Sequence, residues 1–230
     1  MFKKTIPRVI LFIVSISILV VSISIQLVKS DQETLSIINL QSIEPEIYSD
    51  DFSIDTGMWE YLGSAYRDSA NQYLVLTETA SHKGGVAFFK IPFTSNFVAN
   101  FSYKAGGGDG FVMFFYKQKY SSFGEGGNLA FGKGPWPNPP IIFPGYGIEF
   151  DNWHNSIHND PLGNHIALIK DHVDNHLAYV NDPRTGDNCW HNVSVVVKDS
   201  SVTVYVDQAC LLYTSPSPRD LSTSRMPSSA

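Results

Sequence analysis

Between Tyr48 and Ala209 apolar residues recur at every second position: Phe97, Ala99, Phe101 and Tyr103 in one stretch, Val193, Val195 and Val197 in another, Val202, Val204 and Val206 in a third. A period of two puts successive side chains on opposite sides of an extended chain, so each run predicts a half-buried strand. Breakers separate the runs at Gly84-Gly85, Gly106 to Gly108, Gly124 to Gly127, the Pro-rich stretch from Gly132 to Gly147, Asp182-Pro183 and Asp199 to Ser201. No segment longer than a turn or two carries a helical stripe. Many short strands at this spacing predict an all-β fold, an antiparallel β-sandwich of the jelly-roll kind.

The two ends depart from that pattern. Lys3, Lys4 and Arg8 precede an uncharged apolar run from Val9 to Val28. Such a run of about 20 residues is long enough to cross a bilayer and reads as an export signal or an uncleaved N-terminal anchor. Residues 1–30 are therefore assigned to targeting, with everything after Lys29 outside the cytoplasm. Residues 31–47 read as a polar linker and 48–209 as the globular domain. Residues 210–230, rich in Ser, Pro and Arg, read as a disordered, non-native tail.

Composition narrows the partners. A formal net charge of −6 leaves no basic surface for nucleic acid. The 15 Phe, 11 Tyr and 4 Trp favour strands. Two cysteines, Cys189 and Cys210, are too few for a disulfide framework or a zinc cluster.

The chemistry concentrates between Gly147 and Ile166. Alternation puts Ile148 and Phe150 on one face of a strand and the carboxylates of Glu149 and Asp151 on the other, roughly 7 Å apart at ~3.3 Å per residue. Two like charges so placed need a cation or a raised pKa. Further oxygen donors follow at Asn155 and Asp160, and an imidazole at His165. Hard Ca²⁺ takes carboxylates, amide and main-chain oxygens, whereas imidazole beside carboxylates suits a transition ion such as Mn²⁺. The set divides between two metals: Glu149, Asp151, Asp160 and His165 around the transition ion, and Asp151, Asp160, Asn155 and the Trp153 carbonyl around calcium. His154 and His158, like His172 and His176, lie four apart, but no helix surrounds them and no zinc-peptidase pair is read.

From Glu149, the acidic, aromatic, Asn, Asp and His residues at Asp151, Trp153, Asn155, Asp160 and His165 have the spacing of the metal-binding segment of the legume, or L-type, lectins. The segment Gly108-Asp109-Gly110-Phe111 resembles that family's Ala-Asp-Gly strand, and Gly126-Gly127 its Gly-rich loop. The resemblance spans roughly Tyr48 to Ala209 and is closest to secreted microbial modules. It implies a concanavalin A-like jelly roll that binds glycans with Ca²⁺ and Mn²⁺ or another transition divalent ion, and that is not an enzyme. A homo-oligomer is compatible with it. Asp109 would accept sugar hydroxyl protons, the Asn155 amide and the Gly127 N–H would donate, and Trp153 would stack on the sugar's apolar face. The loop near the family's C-terminal end, which also lines the sugar site, is absent.

Two other classes compete with this reading. A glycosidase on the same sandwich needs a catalytic carboxylate pair, and where laminarinase-like enzymes carry a second Glu this chain has His154. A structural adhesion domain would have no sugar site. The lectin expectation stands or falls on whether Asn155 and Asp109 face one pocket.

Overall fold

The computed structural model describes residues 46–93, 96–134, 140–199 and 201–214. Its strands, in chain order, are β1 (Trp59–Gly63), β2 (Tyr66–Asp68), β3 (Tyr73–Val75), β4 (Gly85–Phe89), β5 (Phe97–Lys104), β6 (Gly110–Tyr116), β7 (Gly145–Asp151), β8 (His165–Lys170), β9 (His172–Asn181), β10 (Trp190–Lys198), β11 (Ser201–Val206) and β12 (Ala209–Thr214). All pairings between named strands are antiparallel. A front sheet runs β6-β7-β8-β9 and a back sheet β12-β11-β10-β5, with β1-β4 and β2-β3 as two-stranded pairs. This is the antiparallel β-sandwich the alternation predicts.

The alternating residues meet between the sheets. Ile148, Phe150, Ile166 and Leu168 of the front sheet pack against Ala99, Val193, Val195, Val202 and Val204 of the back sheet. The front sheet's other face is covered too: Leu129 and Phe131, from the connection between β6 and β7, pack on Val112, Ala167, Ile169 and Val173. β7 and β8 are consequently buried on both faces, not half-buried as alternation alone suggests. That cover seals Glu149 inside the molecule.

The domain continues past Ala209. β12 extends the pairing to Thr214, and Leu212 enters the core at 6% exposure. Residues 210–214 thus belong to the sheet, contrary to a tail beginning at 210; a register shift beside Tyr205 hides the alternation there. The N-terminal segment 1–30, most of the linker and residues 215–230 lie outside the described residues.

Candidate functional site

The sandwich brings the acidic segment together because β7 and β8 are neighbours. Their register sets Asp151 opposite His165 and Glu149 opposite Ala167, so the two carboxylates and the imidazole share one face. The chain between them forms a short 3-10 turn at Ser156–His158 and returns Asp160 to the same place, where it accepts from the Asn155 N–H at 2.6 Å. Glu149 and His165 are fully buried, Asp151 is 1% exposed and Asp160 9%.

His176 joins them from β9 and was not assigned from the sequence. Its Nε2 lies 2.9 Å from Glu149 Oε2, which is 3.4 Å from His165 Nε2. One ligand atom from each of Glu149, His165 and His176 fits within a 4.8 Å cluster. A β-bulge explains why alternation misses it. Leu168 pairs with Ala178 and Ile169 with His176, so Leu177 is the extra residue. Without that insertion His176 would share the core face with Ala178; the bulge turns it onto the face of Glu149.

Like charges are crowded together in this cluster. Burial pushes the Asp151 carboxyl up to about 7, and the charges of Glu149 and Asp160 add to the rise. Burial and Glu149 raise Asp160 as well. For Glu149 burial opposes the charge, but hydrogen bonds and charge from His165 and His176 outweigh it and hold its pKa low. Within this cluster Glu149 Oε1, Asp151 Oδ2 and His176 Nδ1 are buried without a hydrogen-bond partner, and His165 Nε2 has only its long 3.4 Å approach to Glu149 Oε2. Such groups are costly when left unpaired. His165 Nδ1 donates to the Gly163 carbonyl at 3.0 Å, which orients the ring so that Nε2 faces the cluster. The donor set therefore fits a divalent ion.

The second half of the site sits above this cluster. β6 pairs with β7 so that Gly110 opposes Asp151, and the Asn152 N–H donates to the Asp109 carbonyl at 2.8 Å. At Gly110 (φ +145°) a Cβ would lie 2.1 Å from the Phe150 carbonyl oxygen, so only glycine lets Asp109 come this close to the acidic strand. The Asn155 amide donates to Asp109 Oδ1 at 2.9 Å and to the Trp153 carbonyl at 3.1 Å. Gly127 closes over the same amide: a Cβ there would stand 2.5 Å from Asn155 Cγ. Trp153 projects outward at 65% exposure. Asp109, Gly127, Trp153 and Asn155 are thus neighbours on one rim, above the buried cluster of Glu149, Asp151, Asp160 and His165.

Two further residues hold this arrangement in place and carry no sequence signal of their own. Thr185, fully buried, donates its hydroxyl to the Asp151 carbonyl at 2.8 Å. The Asn152 amide lies against the carbonyls of Gly108 and Asp109, to which its nitrogen can donate.

No protein-family model matches the chain. A search of curated proteins finds no relative. Solved structures do resemble it. A lectin from Bauhinia forficata in complex with GalNAc superposes with a TM-score of 0.58 at 19% identity, covering 73% of this chain and 80% of that one. The Lotus tetragonolobus seed lectin gives 0.59 at 17% identity, covering 74% and 81%. The exoplasmic/lumenal domain of VIP36, in a Ca²⁺/Man3GlcNAc-bound form, gives 0.54 at 19% identity, covering 69% and 70%. At these identities the likeness establishes architecture. The chain has the L-type lectin fold.

Proposed function

We propose that this protein is a carbohydrate-binding module of the extracytoplasmic space whose glycan site is organised by divalent ions. The single observation that carries this reading is the Asn155 amide donating to Asp109 at 2.9 Å directly above a sealed cluster with unpaired ligand atoms. A sugar edge presents adjacent hydroxyls that both donate and accept, and an anionic acceptor beside a neutral amide donor complements it. Asp109 accepts, Asn155 and the Gly127 main chain donate, and exposed Trp153 offers a flat apolar face. Asp151, Asp160, Asn155 and the Trp153 carbonyl would hold Ca²⁺; Glu149, Asp151, Asp160 and His165 would hold a transition ion such as Mn²⁺. The ions supply fixed positive charge that neutralises the carboxylates and locks the loop from Asn152 to Asp160. The sugar complexes of the Bauhinia lectin and of VIP36, the latter with Ca²⁺, support the assignment on the shared fold. The apolar N-terminal run supports a location outside the cytoplasm, by export or by a membrane anchor.

Burial favours binding over hydrolysis. A glycosidase must present its carboxylate pair to the scissile bond, whereas Glu149 and Asp151 are enclosed and His154 occupies the position of the second acid. A glycan array read with and without chelator tests the proposal. Binding that is inhibited by free sugar and lost in chelator is the expected result; glycan binding that survives complete ion removal and Asp109→Ala contradicts it.

A further inference from the structure

Resting on the ion-organised reading above, we propose that His176 is itself a ligand of the buried transition ion, and that its site takes an ion of the zinc, cobalt or nickel type through two imidazoles. The reading from sequence gave this ion one imidazole and three carboxylates, a set suited to manganese. The structure adds a second ring to the same enclosure. The His165 and His176 rings meet edge to face with centroids 5.7 Å apart, and both Nε2 atoms approach Glu149 Oε2. The His176 side chain is only 7% exposed, so it is not a surface histidine that happens to lie close. The Leu177 bulge costs β9 its regular ladder, and its consequence here is to move one imidazole from the core face to the cluster. Glu149 Oε1 and the Nδ1 of His176 itself are buried there without a hydrogen-bond partner.

Ligand chemistry decides which ion such a pocket prefers. Carboxylate and water donors suit Ca²⁺ and Mn²⁺, whereas each added imidazole shifts preference toward later first-row ions and Zn²⁺. Any nitrogen-containing site favours Zn²⁺ over Mn²⁺ to some degree, so the discriminating quantity is what His176 adds. Two imidazoles and Glu149 bring three donors within 4.8 Å of one another, and Asp151 beside them would supply the fourth that a closed zinc site requires.

The test counts imidazoles directly. The full chain is loaded with one equivalent of Zn²⁺ in excess Ca²⁺, and zinc K-edge absorption is recorded on the native protein and on His176→Ala. The expected result is two imidazoles in the native protein and one in the variant. Competition titrations should show the variant losing ~100-fold in Zn²⁺ affinity but less than ~10-fold for Mn²⁺. The native count alone is decisive if the variant fails to fold. A single imidazole in the native protein overturns the inference. If glycan binding in the same preparation is still ion-dependent, the lectin reading survives that outcome; if no ion is held at all, both fall.

Discussion

Two charged clusters meet at Thr185, and they are built in opposite ways. Behind it, Arg184 hydrogen-bonds through Nε to Asp182 at 2.9 Å and through Nη1 to the Val206 carbonyl at 3.1 Å, while His191 bridges Asp207 at 2.8 Å and Asp187 at 3.0 Å. That cluster contains its own cations. In front, Glu149, Asp151 and Asp160 face two imidazoles and leave ligand atoms unpaired. The first arrangement stabilises itself; the second, on the proposed reading, is completed by divalent ions. Thr185 connects them, since the turn that Asp182 and Arg184 secure is the one that places its hydroxyl on the Asp151 carbonyl.

This contrast can be broken from either side. The largest effect is expected at the rim of the front site. Asp109→Ala should weaken glycan binding at least ~100-fold, about 2.7 kcal/mol, and leave the melting temperature within about 2 °C of native, because a partly exposed carboxylate is removed from binding and not from the core. A glycan titration beside a melting curve checks both halves. Arg184→Met should do the reverse. It leaves Asp182, 4% exposed, without its cation, at a cost of about 2 kcal/mol, reduced from the fully buried range because Arg184 is partly solvated; urea unfolding measures it. Next comes Thr185→Val, which removes one buried hydrogen bond at about 1 kcal/mol and loosens the main chain at Asp151. Chemical denaturation of the ion-free protein would show the loss.

The smallest effect is a pH dependence confined to the rear cluster. Burial works against a charged His191, but the Asp187 and Asp207 carboxylates outweigh it and raise its pKa above the ordinary imidazole value. A raised folded pKa stabilises fully below the unfolded value near ~6.5 and is lost as pH climbs through the folded one. Asp187, through its hydrogen bond from His191, and Asp207, where the same ring and Arg184 overcome burial, are both lowered. Their contribution is present above ~4 and lost in acid. The Tyr103 ring, 5.5 Å from the His191 ring, has its pKa raised, first by burial, and Asp182, where burial is outweighed mainly by Arg184, is lowered further by the charge of His191. The stability difference between native protein and His191→Gln should therefore be greatest between about pH 4.5 and 6 and shrink above neutrality, as urea midpoints across pH would reveal. A difference that grows with pH would remove the clamp from the account.

The sandwich and most of the front cluster were legible in the sequence for one reason: regular strands expose their period, and Glu149 to His165 span one strand, its connection and the first residue of the next. Asp109 and Gly127 needed the family resemblance, because the β6-β7 register brings the first to that hairpin and the 3-10 turn at Gly126–Asn128, between those strands, brings the second. The omissions share a physical cause. His176 is displaced by the Leu177 bulge and β12 by a register shift beside Tyr205, and an inserted residue erases the alternation on which the reading relies. Thr185 acts on a main-chain oxygen, which leaves no pattern in side-chain types.

Thermal unfolding with and without divalent ions decides whether the front cluster is an ion site. At about 100 times each dissociation constant, Ca²⁺ with Zn²⁺ should raise the native melting temperature by ~10–20 °C. The same shift should survive in Arg184→Met and vanish in Asp151→Asn. No shift in the native protein, or one that Asp151→Asn retains in full, would contradict the claim.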